Sequence, residues 1–297
     1  MERRRNRIGA VRIGVIDIGA STTCSLVAEL TPPRPRQALV RRHNLSPPRV
    51  EPEELADLVR GEAALARRAG AEQLVVAARA TLRGTHHARM LGRVCREIGA
   101  GDLRILGARE KAELAFDGAV GGQAEHIPVA VATVGLSSTE IAVGYAGGGT
   151  AWRGSRPAGV WRLTDGARFS DPPEMVQQEA AKSAAWRSLS SMQPPPAERA
   201  LLAGGAASAA IRSLCGSTID AASLARARDH VAAVPGEVLA GELMLTPGQA
   251  RPIPATLAVL DAVVELIGLP LQMVGGGIRE GLAIARLREL QAAAQPA

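Results

Sequence analysis

Residues 11–30 combine side chains whose types and spacing could bind phosphate and a cation. The stretch reads VRIGVIDIGASTTCSLVAEL. Asp17 ends an apolar run, where a carboxylate has no packing role, and Gly19 allows the backbone to approach a ligand closely. Ser21 and Thr22 add hydroxyl groups. Such a turn offers N–H and O–H donors to a phosphate, and Asp17 can hold a divalent cation. A hairpin turn that simply favours Gly, Ser and Thr is the alternative, and this stretch leaves both interpretations open.

The elements around this turn are predicted to be two short β-strands. The apolar runs on either side are brief, rich in β-branched residues and bounded by small residues, which favours strand over helix. A second strand–turn–strand pattern follows about a hundred residues later, with strands at 128–134 and 141–145 and the turn GLSSTE between them. Two similar hairpins that face each other would form a cleft, so the repeat itself suggests a binding site.

A third candidate is the segment after the apolar run at 199–203. Gly204 and Gly205 follow this predicted strand and lead into a predicted helix. The N-terminus of a helix that follows glycines is a common site for anions. Many strand–helix connections have the same composition without binding anything, so the motif by itself does not decide between the two.

The remaining pattern predicts strands that alternate with helices, which is typical of an α/β layer architecture. We expect helices at 51–69, 86–98, 108–119 and 278–293, an irregular stretch at 31–52 and a loop at 80–84. A glycine-rich break at 118–125 suggests two domains. The predicted first domain spans residues 1–125 and the second spans 126–277, with the last helix, 278–293, packing back on the first.

Composition narrows the functional class. Aromatic residues make up only 2% of the chain, which argues against stacking platforms for single-stranded nucleic acid. The net charge of +6 comes almost entirely from arginine, because Lys111 and Lys182 are the two lysines. The three cysteines are far apart, which favours buried thiols in a reducing compartment over a disulfide framework. The histidines lack metal-ligand spacing. With no predicted membrane span, we expect a cytoplasmic protein that binds no specific nucleic acid.

Six segments in order resemble the Ppx/GppA family, which comprises exopolyphosphatases and guanosine pentaphosphate phosphohydrolases. They are VIDIGAST from residue 15, ATLR from 80, LGAREKAELAFDG from 106, TVGLSSTEIAVG from 133, AGVWRLT from 158 and GGGIREGL from 275. Any one of them is a weak signal. Six in the same order over nearly the whole chain make a specific one.

The resemblance implies an α/β fold of two actin-like (ribonuclease H-like) domains with a phosphate-binding cleft between them. It implies action on terminal phosphates of polyphosphate or guanosine polyphosphates with Mg²⁺, and it is compatible with a homodimer because many relatives pair. The implied metal ligands are Asp17 and Glu140, and the implied catalytic positions are Lys111 and Glu140. The positions implied to bind phosphate are Gly19, Ser21, Thr22, Arg83, Gly135, Ser138, Thr139, Gly204 and Gly205.

The departures from the family pattern fall on its chemistry. Relatives activate the attacking water with a glutamate, and that position is Lys111 here. A protonated lysine cannot accept the proton of the water, and loss of a general base slows a reaction by about 10²–10⁴-fold. Thr133 stands at a metal-associated aspartate position. Leu136 and Ser137 replace two turn glycines. We expect Leu136 to put a side chain where backbone N–H groups would approach phosphate, and to disturb the turn because it disfavours positive φ.

Three hypotheses follow. The protein is a working phosphohydrolase, or a weak or inactive homologue that binds a polyanion and signals through a protein partner, or a structural protein that kept only the fold. Impaired hydrolysis is the favoured interpretation because of Lys111. Lys111 could also be an ordinary solvated lysine paired along its own acidic helix with Glu113 or Asp117, but that would still leave no base.

Overall fold

A computed structural model describes residues 11–20, 22–31, 34–43, 50–121, 126–205 and 208–294. The chain divides into two compact units. The first runs to Gly107 and includes the C-terminal segment from Arg279, and the second includes Ala108–Val120 and extends to Ile278. Ser21, a predicted phosphate-binding residue, lies outside the described residues.

The first unit is built on a five-stranded sheet in the order β3-β2-β1-β4-β5. Its elements are β1 (Val11–Ile18), β2 (Thr23–Thr31), β3 (Arg34–His43), α1 (Pro52–Arg68), β4 (Gln73–Arg79), α2 (His86–Glu97) and β5 (Arg104–Leu106). β1 pairs antiparallel with β2 and parallel with β4. The apolar run of β1 is fully buried, and its residues Ile16 and Ile18 pack in one cluster with the apolar stripes of α1 and α2.

The second unit contains a six-stranded sheet in the order β10-β11-β9-β6-β7-β8. Its strands are β6 (Pro128–Val134), β7 (Thr139–Tyr145), β8 (Gly149–Arg156), β9 (Arg199–Ala203), β10 (Thr218–Ile219) and β11 (Leu271–Met273). Its helices are α3 (Ala108–Val120), α4 (Val160–Ala167), α5 (Met175–Leu189), α6 (Ala209–Cys215), α7 (Ala221–Ala233), α8 (Gly236–Glu242), α9 (Pro247–Ala250) and α10 (Ile253–Ile267).

Two separate apolar clusters hold the second unit together. Helix α3 covers one face of the sheet through residues that include Phe116, which is fully buried. The larger cluster contains residues of α5, α7 and α10. Helix α10 is apolar on nearly all sides and its residues from Ile253 to Val263 are buried, as expected for a central helix. The sheet edge that carries the candidate site is therefore held by packing on both faces.

The last helix, α11 (Ile278–Ala293), belongs to the first unit from Arg279 onward. Arg286 Nη2 donates to Gln73 Oε1 at 2.9 Å, and Gln37 Nε2 donates to Glu280 Oε1 at 2.9 Å. These bonds join the end of the chain to β3 and β4, so the first unit is assembled from both ends of the sequence.

Three expectations need correction. Helix α3 belongs to the second unit, although the glycine-rich break placed it in the first, because Ala112 and Phe116 pack on β6 and β7. The stretch at 31–52 contains β3, which shows no apolar period because most of its described side chains are exposed. The loop at 80–84 includes a short 3₁₀ helix, Ala80–Leu82.

Within the described ranges, no helix combines the length and the apolarity that crossing a bilayer requires.

Candidate functional site

The two hairpins predicted from the repeat have the same register. Asp17 on β1 stands opposite Cys24 on β2, and Thr133 on β6 stands opposite Glu140 on β7. Counted from the turns, Asp17 matches Thr133 and Cys24 matches Glu140. The first hairpin therefore has its carboxylate on the first strand, whereas the second hairpin has it on the second strand.

The turns of the two hairpins are also closed by the same hydrogen bond. The amide of Gly19 donates to the carbonyl of Thr22 at 2.9 Å, and the amide of Gly135 donates to the carbonyl of Ser138 at 2.9 Å. These two glycine amides, both in predicted phosphate-binding positions, thus serve the turns themselves. Any phosphate bound here would have to use other donors.

In the first unit, Asp17 is paired with a residue that the sequence analysis did not identify. Arg79 Nη2 lies 3.1 Å from Asp17 Oδ2. Arg79 ends β4, which runs parallel to β1, so both side chains emerge at the same edge of the sheet. Asp17 Oδ1 is buried and has no hydrogen-bond partner among the described residues. Asp17 therefore keeps one acceptor atom for a ligand.

Other predicted phosphate ligands of the first unit are less tightly placed. Arg83 is exposed, and its Nη2 lies 3.5 Å from the carbonyl oxygen of Ile105. Thr22 is partly buried, and Cys24 Sγ lies 4.0 Å from its hydroxyl oxygen. Arg83 is thus open to an anion from solvent.

In the second unit, Lys111 reaches from α3 to the second hairpin. Its Nζ lies 2.7 Å from Glu140 Oε1 and donates to Ser138 Oγ at 3.0 Å. The Lys111 side chain is only 14% exposed. The alternative of a solvated lysine paired with Glu113 or Asp117 is therefore wrong for Lys111, because its ammonium is held against the hairpin.

Glu140 is surrounded by donors. Its Oε1 accepts from Ser138 Oγ at 2.6 Å and from Ser155 Oγ at 3.2 Å, in addition to Lys111. Its Oε2 accepts from Thr133 Oγ1 at 3.2 Å. Glu140 is also 3% exposed. A general base must come within hydrogen-bond distance of the water it activates, and this carboxylate is already engaged and enclosed.

Thr139 and Leu136 have structural rather than ligand-facing roles. Thr139 is fully buried and its hydroxyl donates to the carbonyl of Ala158 at 2.7 Å, which directs this predicted phosphate ligand into the protein. Leu136 packs against the larger apolar cluster and is not among the described residues with positive φ. The expectation that Leu136 disturbs the turn is therefore not met, since the turn forms without a left-handed residue.

The start of α4 supports the second turn from behind. The amides of Val160 and Trp161 donate to the carbonyls of Gly135 and Leu136 at 3.1 and 3.0 Å. A Cβ at Gly159 would lie 2.2 Å from the backbone carbon of Ser137, so only glycine fits there. The AGVWRLT segment thus holds the turn in place through its backbone.

Of the glycine pair after β9, Gly204 is the one placed beside the second hairpin. It has φ of +81°, and a Cβ built on it would lie 3.8 Å from Thr133 Cγ2. Gly205 is exposed. The following helix, α6, has seven residues and is capped by Ser208, whose hydroxyl accepts from the amide of Ile211 at 3.4 Å. Gly204 therefore borders the second hairpin, whereas a Cβ at Gly205 would have no atom within 4 Å.

A cavity of about 290 Å³ adjoins the Lys111–Glu140 pair. It is lined by the start of α3 and the end of β8, through Ala108, Arg109, Ala112, Arg153, Gly154, Ser155 and Arg156. Arg153 is paired with Glu113 at 2.9 Å, and Arg156 Nε donates to Ser191 Oγ at 2.9 Å. Arg109, Arg153 and Arg156 thus put three arginines around this space, two of them already bonded to protein groups, and a guanidinium pairs well with an anion.

The donor set fits a divalent cation poorly at the second hairpin. Within the described ranges, no group of three or more His, Cys, Asp or Glu side chains is arranged to hold a metal. Mg²⁺ needs oxygen ligands at about 2.0–2.1 Å, and the oxygens of Glu140 already face an ammonium and three hydroxyls. Asp17, with its unpartnered Oδ1, is the better candidate ligand.

Sequence reasoning missed two contributors to this geometry. Arg79 could have been found, because it ends a buried strand parallel to β1 and so belongs to the edge that carries Asp17. Ser155 had no such signal, since its role depends on the pairing of Glu140 with Ser155 across β7 and β8.

Comparison with known proteins agrees with this architecture. The sequence profile of the Ppx/GppA phosphatase family matches residues 60–290. A structure of the Aquifex aeolicus Ppx/GppA family member is 18% identical, covers 95% of this chain and 99% of its own, and superposes with a TM-score of 0.81. An exopolyphosphatase from Cytophaga hutchinsonii is 16% identical, covers 94% and 98%, and has a TM-score of 0.76. A search of curated protein sequences finds no match.

The class that the fold defines is thus an α/β protein of two sheets, with a strand–turn–strand hairpin of the same register in each unit. The profile match covers well over half of the chain, so this chain belongs to the Ppx/GppA phosphatase family.

Proposed function

We propose that this protein binds the terminal phosphates of polyphosphate or guanosine polyphosphates and hydrolyses them poorly or not at all. The observation that carries the proposal is the ion pair of Lys111 Nζ with Glu140 Oε1 at 2.7 Å. Lys111 stands at the position where relatives place their base, and its ammonium engages Glu140, the carboxylate paired with it. Family membership supports the substrate class.

Impaired hydrolysis is supported by the engagement of two described carboxylates at and beside the pair, Glu140 and Glu113. The ammonium of Lys111 donates hydrogen bonds to Glu140 and Ser138. Glu140 is enclosed by donors, and Glu113 is bonded to Arg153. Loss of the base leaves positioning and charge stabilisation, which would sustain only slow turnover, about 10²–10⁴-fold below that of an intact site.

Anion binding is supported by cations in each unit. Arg83 is exposed in the first unit, and Arg109, Arg153 and Arg156 line the cavity in the second. A guanidinium pairs well with phosphate oxygens through parallel hydrogen bonds. If a divalent cation assists, Asp17 Oδ1 would hold it and the cation would neutralise phosphate charge.

A binding protein without catalysis would act as a sensor or scaffold that signals through a protein partner. The same ion pair favours this second candidate over a working enzyme. The two differ in one measurable quantity, which is phosphate release at saturating ligand.

The experiment combines binding and turnover on one preparation. We would measure the Kd for long-chain polyphosphate and for guanosine pentaphosphate by isothermal titration calorimetry, and phosphate release from each with Mg²⁺. The variants are Arg109→Gln with Arg156→Gln, and Lys111→Glu. The matched control is Lys182→Gln, which removes the other lysine, paired with Asp261 at 3.2 Å elsewhere in the second unit.

We expect wild type to bind at least one ligand and to release phosphate slowly, about 10²–10⁴-fold below the rate of an intact site, or not at all. The arginine variant should bind about tenfold more weakly, while Lys182→Gln should match wild type. Turnover by wild type that is lost in Asp17→Ala would contradict impaired hydrolysis. Absence of binding to both ligands would leave only the third hypothesis, a protein that kept the fold alone.

A further inference from the structure

We propose that the ammonium of Lys111 takes the place of a divalent cation at Glu140, so that this protein binds phosphate polymers without Mg²⁺. The inference deepens the proposed function and rests on it. It assigns Lys111 a role in ligand selection, beyond the loss of a base.

The geometry around Glu140 carries the first step. Four donors contact the carboxylate, namely Lys111 Nζ at 2.7 Å and the hydroxyls of Ser138, Thr133 and Ser155 at 2.6, 3.2 and 3.2 Å. Three of these donors contact Oε1 and one contacts Oε2, so Oε1 is fully engaged and Oε2 keeps one acceptor site. A metal ion at Oε1 would have to displace the ammonium of Lys111, and a metal ion at Oε2 would lie close to its positive charge.

The charge balance carries the second step. One positive charge on Lys111 neutralises the carboxylate of Glu140, whereas a divalent cation there would neutralise it and leave one positive charge in excess. An ammonium has three donors, and two of them are directed at Glu140 Oε1 and Ser138 Oγ. The third N–H remains for an anion. The side chain is 14% exposed, so an oxygen atom of a ligand can approach it.

The first hairpin shows a similar replacement by a different residue. Arg79 Nη2 lies 3.1 Å from Asp17 Oδ2 and neutralises its charge. Asp17 Oδ1 has no hydrogen-bond partner among the described residues. Each hairpin carboxylate thus has a cation supplied by the chain. Asp17 is the position where a metal would still find a free oxygen, and the test has to separate the two carboxylates.

The direct test is binding of Mn²⁺, read from the electron paramagnetic resonance signal of the free ion, without any phosphate ligand. Lys111→Gln removes the charge but keeps an amide donor for Glu140, which protects the fold better than alanine. Lys182→Gln is the matched control. Asp17→Asn removes the other carboxylate, and circular dichroism checks that each variant is folded.

We expect Lys111→Gln to bind Mn²⁺ at least tenfold more tightly than wild type, with the gain retained in Asp17→Asn/Lys111→Gln and lost in Lys111→Gln/Glu140→Gln. Lys182→Gln should equal wild type. Equal Mn²⁺ affinity in wild type and Lys111→Gln would overturn the proposal, because Lys111 would then not compete with a metal at Glu140.

A second readout uses fluorescence anisotropy of labelled polyphosphate with either Mg²⁺ or a chelator. The affinity of wild type should change by less than about twofold between the two conditions. Lys111→Gln should lose about tenfold in the chelator, the equivalent of one charge-assisted hydrogen bond. Binding by wild type that requires Mg²⁺ would refute the inference but keep the proposed function, whereas absence of polyphosphate and nucleotide binding would refute both.

Discussion

The hairpin of β1 and β2 and the hairpin of β6 and β7 share a register and a turn hydrogen bond, yet they place charge differently. In the first, Asp17 has one oxygen paired with Arg79 and one oxygen without a partner. In the second, Glu140 has both oxygens engaged and is paired with Lys111 from a helix. The same backbone therefore supports an open carboxylate in one unit and a closed one in the other.

This difference shows what a hairpin repeat determines and what it leaves free. The turn fixes where strands end and which amides close it. The neighbouring elements determine which side-chain cation contacts the hairpin carboxylate, since Arg79 lies on a parallel strand and Lys111 on α3. Chemistry at such a site can thus change by substitution on a neighbouring element while the turn is preserved.

Removal of Glu140 should be the most damaging change at either hairpin. Glu140→Ala leaves the Lys111 ammonium buried without its carboxylate and removes the acceptor of three hydroxyls. We expect the free energy of unfolding to fall by about 3 kcal/mol, measured by urea denaturation. The double variant Lys111→Met/Glu140→Gln should have a free energy of unfolding closer to that of wild type. If it loses as much stability as Glu140→Ala, the ion pair is not the cause of the loss.

Backbone support should also be stronger at the second turn. Gly159→Ala places a Cβ 2.2 Å from backbone atoms of Ser137, whereas Gly19→Ala places one 2.8 Å from the carbonyl oxygen of Thr22. We expect Gly159→Ala to lower the free energy of unfolding by roughly 2 kcal/mol or more, and by more than Gly19→Ala. Gly166→Ala on α4, where no atom lies within 4 Å of the added carbon, is the control. The reverse order would refute the comparison.

The first carboxylate should be less important for stability. Asp17→Ala leaves Arg79 with a side chain that is 23% exposed and can recover contact with water. The expected loss is about 1–2 kcal/mol in the same denaturation assay. A loss as large as that of Glu140→Ala would remove the asymmetry between the two hairpins.

The smallest predicted effect concerns the cysteines. Cys24, which matches Glu140 in the repeat, is partly exposed, whereas burial raises the pKa of Cys95 to about 12 and that of Cys215 to about 11. Because the thiolate reacts and forms only near or above the pKa, the two buried thiols stay protonated at pH 8. We expect one cysteine to be alkylated quickly by iodoacetamide and the other two only in denaturant. Labelling of Cys95 first would contradict the burial pattern.

Much of this fold could be predicted from the sequence. The apolar runs of β1, β6 and β9 have short lengths and clear borders, so their positions followed from local pattern. Strand β3 could not be predicted in this way. Its sequence is RPRQALVRRH, most of its described side chains are exposed, and its strand conformation comes from backbone pairing with β2.

The candidate site was less predictable because it depends on tertiary contacts. The resemblance to the family implied that Lys111 stands at the position of the base, but local pattern could not predict that its ammonium reaches Glu140. The pairing needs α3 to lie across β7 and β8 in the second unit, and the glycine-rich break pointed to the first unit instead. Thr139 was likewise predicted to bind phosphate, but its hydroxyl donates to the carbonyl of Ala158.

The most direct test of the central claim is nuclear magnetic resonance of the lysine ammonium groups. The chain has two lysines, so labelling lysine with ¹⁵N gives two Nζ signals, which Lys182→Gln assigns. We predict that the Lys111 signal exchanges slowly with water, does not move when Mg²⁺ is added, and changes in Glu140→Gln. A Lys111 signal that exchanges as fast as that of a free lysine and moves with Mg²⁺ would contradict the account.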